Sequence, residues 1–86
     1  MIIEDRNIES RLEVPKHMII SWNDGFKIEV KTTDNEVVVS ANKEGLLSLS
    51  QQLAALAEER PGSHIHYDEY NSLEKGSAEL IIEITE

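Results

Sequence analysis

Between Asn42 and Pro61, leucines recur at positions 46, 49, 53 and 56, and spacings of three, four and three place them on one side of a helix. Ala54 and Ala57 widen that stripe, while Ser48, Gln51, Gln52, Glu58 and Glu59 fall mostly on the other side. Asn42 is a good N-cap, and Pro61-Gly62 should stop the helix near Arg60 after about five turns. No other long stretch carries this period, and strand-like patterns stand on both sides of it. A single amphipathic helix among strands must bury its stripe on a sheet, which makes the chain α+β. The leucines are therefore read as core, rather than as a seam for a second helix.

The strands follow from alternation. His17-Met18-Ile19-Ile20-Ser21-Trp22 is a short apolar run, and Asn23-Asp24-Gly25 after it is a hairpin signal. Phe26, Ile28, Val30 and Thr32 then alternate with Lys27, Glu29, Lys31 and Thr33, the period of a half-exposed strand. Asp34-Asn35 suits a tight turn into a third strand, Glu36 to Ala41. Beyond the helix, residues 64–68 alternate again, and Leu80 to Ile84 forms a final apolar strand. Residues 1–15 mix apolar and charged side chains before Pro15 and read as irregular or a short edge strand. The expectation is one domain over 1–86, ordered strand–strand–strand–helix–strand–strand. It should form a five-stranded, mainly antiparallel sheet, order 3-2-1-5-4, with the helix packed on one face.

Composition narrows function by exclusion. The 86 residues contain no cysteine, so disulfides, thiolate nucleophiles and cysteine-bound metals are out. No apolar run is long enough to cross a membrane, and Met1-Ile2-Ile3-Glu4-Asp5-Arg6 lacks the basic flank of a signal peptide. A cytoplasmic location is expected. The net charge of −9 is concentrated toward the end, where residues 58–86 carry eight acids and two bases. Such a surface repels phosphates, so no nucleic-acid partner is expected; it can be steered instead onto a basic protein.

Three features could carry chemistry. His64, His66 and Asp68 occupy alternate positions of one strand and share a face, and two imidazoles with a carboxylate are a possible zinc or iron ligand set. Ligands from a single strand make a poor cage, however, so no metal and no cofactor are expected, and the bland reading is a polar solvent face. The segment Asp68 to Ser77 is the second feature. Asn71 or Ser72 could cap a helical turn, Glu74 or Lys75 could reach back, Gly76 could end it in the left-handed region, and Leu73 would anchor it inward. Such a loop either closes the end of the sheet or displays Asp68, Glu69, Tyr70 and Glu74 to a partner. Third, carboxylates abound, but no pair stands out, and neither a serine triad nor a phosphate-binding glycine loop is visible.

The string from His64 to Ile82, H-I-H-x-D-x-x-N-S-L-E-x-G-S-x-E-L-I-I, resembles the immunity protein 32 family of bacterial polymorphic toxin systems. It covers about the last quarter of the chain. The resemblance implies a non-catalytic cytoplasmic protein that binds and neutralises a toxin encoded beside it. It assigns no catalytic residue and no contact surface. Partner binding through Asp68, Glu69, Tyr70 and Glu74 is the favoured expectation, with the sheet face bearing Ile19, Val38 and Ile81 as the competing surface. The alternatives are a metal-binding protein or metal-dependent enzyme using His64, His66 and Asp68, and a general interaction domain with an unrelated partner. Oligomeric state is not legible.

Overall fold

A computed structural model describes residues 18–86. The expected irregular or edge-strand segment over 1–15, and His17 of the first expected strand, lie outside the described residues. The elements run β1 (Ile28–Thr33), β2 (Glu36–Ala41), α1 (Lys43–Leu56), β3 (His64–Tyr67) and β4 (Leu80–Glu83). The α+β class holds, but the five-stranded sheet does not: β1 and β2 form one antiparallel pair, β3 and β4 another. Both pairings were part of the expected order. The missing piece is the strand between them.

Residues 18–22 form no strand, and two backbone groups at the end of this segment bond to the helix instead of to β1. The Ser21 carbonyl accepts from Gln52 Nε2 at 3.0 Å, and the Asn23 N–H donates to Ser48 Oγ at 2.8 Å. The expected turn is nevertheless present, with Gly25 at φ 80° and Phe26 N–H bonded to the Asn23 carbonyl. The vacated edge of β1 is taken by the loop before β4. Glu74 N–H donates to the Ile28 carbonyl and Ala78 N–H to the Val30 carbonyl, both at 2.8 Å, while Val30 N–H donates to Ser77 Oγ at 3.1 Å. Residue numbers rise together on both chains, so the loop runs beside β1 in the same sense, which a fully antiparallel arrangement does not contain.

The helix is shorter and rotated relative to the leucine pattern. Asn42 caps it as expected, accepting from Gly45 N–H at 2.8 Å, but regular helix ends at Leu56 and only turn-like bonds continue to Glu59. Its buried face is Gly45, Ser48, Leu49, Gln52 and Leu56. Leu46 is 55 % exposed and Leu53 39 %, so two of the four leucines expected in the core are not there. Two polar residues replace them because each of their side-chain polar atoms has a partner. Ser48 Oγ donates to the Glu44 carbonyl as well as accepting from Asn23, and Gln52 also accepts from the Tyr67 hydroxyl. A buried polar side chain whose polar atoms all have partners costs little.

The core itself joins Met18, Ile28, Val30, Leu49, Leu56, Ile65, Tyr67 and Leu73, with Ile82 and Ile84 packed against it. Trp22 stacks on Phe26, ring centroids 4.3 Å apart, and meets Tyr67 edge-on at 6.3 Å. The residues after β3 thus leave the core from a fixed point, beneath a buried tyrosine.

Candidate functional site: the acidic loop after β3

Alternation in β3 sends Ile65 and Tyr67 into the core and leaves His64 and His66 on the opposite face. Asp68 follows and organises the loop. Its carbonyl accepts from Asn71, Ser72 and Leu73 N–H groups, and its Oδ1 accepts from Tyr70 and Asn71 N–H at 2.9 and 3.1 Å. Asn71 returns the favour through Oδ1 to Asp68 N–H and through Nδ2 to the His66 carbonyl. The cap is therefore Asp68, one turn earlier than the expected Asn71 or Ser72, in an Asx turn whose carboxylate replaces a backbone acceptor.

Leu73 is buried and Gly76 has φ 89°, both as expected for the anchor and the left-handed stop. The side chain that reaches back is Glu69, whose Oε1 accepts from Gly76 N–H at 2.7 Å. That bond, helped by the Tyr70 side chain and by Lys75, holds the Glu69 carboxyl below the usual glutamate range. The second half of the loop is pinned to β1 through Glu74, Ser77 and Ala78. Between these two anchorages Tyr70 stands 66 % exposed, and Glu74, four residues on at the start of the second anchorage, is exposed as well.

The histidines separate. His64 Nδ1 lies 3.4 Å from the Gly62 carbonyl and joins no ligand cluster among the described residues. His66 Nε2 instead contacts Glu79 Oε2, and Asp68 completes a group whose ligand atoms all lie within 4.8 Å of one another. The set expected from the single strand, His64, His66 and Asp68, is thus not brought together as such. Glu79 was missed because it lies across the hairpin: the β3–β4 register pairs Tyr67 with Leu80, and one further step sets Asp68 opposite Glu79. The pairing was expected; its register, never worked out from the sequence, was the signal that would have found it.

The family model described as immunity protein 32 matches residues 36–85, from the start of β2 through the loop and past β4. The chain belongs to the immunity protein 32 family. No curated protein and no solved structure matches it. The immunity protein 32 match takes in β2, α1, the whole acidic loop and the hairpin that holds it, but not β1, to which the loop's second half is pinned. It reaches well upstream of the His64–Ile82 string, so the resemblance carried by that string extends over the helix as well. No helix among the described residues is long and apolar enough to cross a membrane.

Proposed function

We propose that this immunity protein neutralises a cognate toxin, probed first as a basic domain, by binding and occluding it in the cytoplasm, with no catalysis of its own. The contact is made by Asp68, Glu69, Tyr70 and Glu74. One observation carries this reading: an exposed tyrosine sits on a loop fixed at both ends by its own hydrogen bonds and by β1. Ordering such a loop costs nothing further on binding, and a rigid aromatic supplies contact area at low entropic cost. The acids around it belong to the more negative end of the chain and complement a basic surface, which favours fast encounter.

The four residues play different parts. Asp68 and Glu69 spend their carboxylates on shaping the loop, whereas Tyr70 and Glu74 present side chains outward. Coexpression with the toxin encoded beside it should restore growth, and the two proteins should copurify. With that pair in hand, Tyr70→Ala should weaken binding by about tenfold or more, as hot-spot aromatics do. Glu74→Gln should slow association at low salt and flatten its salt dependence. If both variants keep the parental thermal midpoint and bind as the parent does, the loop is not the contact. The exposed Ile19, Val38 and Ile81 would then be substituted next.

A further inference from the structure

The cluster of His66, Asp68 and Glu79 has the makings of a site that shares only Asp68 with the toxin-binding loop. One ligand atom from each lies within 4.8 Å of the others, so modest side-chain shifts would let a single ion touch all three. The objection to a metal on β3 was that its ligands came from one strand. Glu79, at the head of β4, removes that objection by supplying a ligand from a second element.

We infer that His66, Asp68 and Glu79 bind a divalent first-row transition ion. One imidazole nitrogen with two carboxylate oxygens suits zinc and its neighbours; an all-oxygen site would be needed to favour magnesium or calcium. The neutral imidazole and two carboxylates also balance the ion's charge. Two of the ligands are anchored before any ion arrives. The Asp68 carboxylate is oriented by the Tyr70 and Asn71 N–H groups on Oδ1, which leaves Oδ2 for an ion. The main chain of His66 is fixed by its pairing with Ile81 and by Asn71 Nδ2 on its carbonyl. Its Nε2 already faces Glu79 Oε2, so an ion entering there replaces a proton-mediated contact with two coordinate bonds. With His66 half-buried and Glu79 exposed, the remaining coordination positions open to solvent.

This inference shares Asp68 with the toxin-binding reading, but it is tested on the protein alone, so the two fail separately. Equilibrium dialysis against zinc, followed by elemental analysis, should give one zinc per chain, with excess magnesium failing to displace it. His66→Ala and Glu79→Gln should each weaken binding about tenfold or more, while His64→Ala leaves it unchanged. Sub-stoichiometric zinc, indifference to Glu79→Gln, or loss in His64→Ala would each overturn the assignment. Circular dichroism checks that the variants fold. Should one fail, zinc titration of the unaltered protein by NMR decides the matter: the His66 ring resonances must move and those of His64 must not, and the reverse pattern overturns the site.

Discussion

The Tyr67 hydroxyl donates to Gln52 Oε1 at 2.7 Å, a buried hydrogen bond that ties β3 to α1. Gln52 completes the link by donating to the Ser21 carbonyl, so one side chain gathers the helix, β3 and the segment before β1. Gln52→Leu strands the tyrosine hydroxyl and should cost about 1–3 kcal/mol in urea denaturation. Tyr67→Phe strands the amide oxygen and should cost a similar amount. The double variant should lose clearly less than the two single losses together, because each partner's removal spares the other. Simple additivity would mean that the bond is not made.

The same burial raises the Tyr67 phenol above its ordinary value. Because the folded protein then holds its proton more tightly than the unfolded chain, the contribution is complete below the ordinary tyrosine pKa of about 10. It is lost as pH rises beyond that value, since the unfolded chain ionises first. Thermal midpoints measured from about pH 8 to about pH 11 should fall steeply at the alkaline end. Tyr67→Phe should lower the midpoint at neutral pH but flatten that decline.

Rotation of α1 reverses an expectation drawn from the leucine stripe. Leu56 is buried in the core, whereas Leu53 is 39 % exposed. Leu56→Ala should therefore cost about 2–5 kcal/mol through lost transfer energy and a cavity. Leu53→Ala should stay within about 1 kcal/mol, since it removes little buried area and alanine favours helix slightly more than leucine. Comparable losses at the two positions would restore the stripe as the buried face.

What the sequence made legible was local. Asn42 as cap, the left-handed Asp34 turn, the bounds of β2 and the inward Leu73 all follow from the chemistry of residues close in the chain. What it concealed was set at a distance. Ser48 and Gln52 read as solvent-facing until Asn23, Ser21 and Tyr67 are seen to satisfy them. Met18 to Trp22 has the composition of a strand, yet β1's edge went to a loop about fifty residues further on, through bonds from Glu74 and Ala78. The candidate site divides the same way. Asp68, Glu69, Tyr70 and Glu74 could be picked from one contiguous acidic stretch, but Glu79 joins His66 only through the β3–β4 register.

Gly45 lies tight against the first sheet, and it supplies a test of that packing. A Cβ there would stand 2.6 Å from the Lys27 carbonyl oxygen, 2.9 Å from Ile28 Cγ1 and 3.1 Å from Ala41 Cβ. The nearest obstacle is backbone and cannot swing away. It is also engaged, since the Lys27 carbonyl accepts from Asn42 N–H at 3.1 Å. Asn42 in turn uses Oδ1 to accept from Lys27 and Gly45 N–H and Nδ2 to donate to the Gly25 carbonyl, so displacing Lys27 disturbs the helix cap and the preceding turn together. On helix propensity alone, Gly45→Ala would stabilise by about 1 kcal/mol. Overpacking against a fixed carbonyl costs about 1–3 kcal/mol and disrupts the cap besides, so the net change should be a loss. Ala54→Gly, on the exposed side of the same helix, gives the propensity term by itself, a loss of about 1 kcal/mol. A thermal midpoint that rises in Gly45→Ala while falling in Ala54→Gly would show propensity acting alone at both positions, and the close contact between α1 and β1 would have to be abandoned.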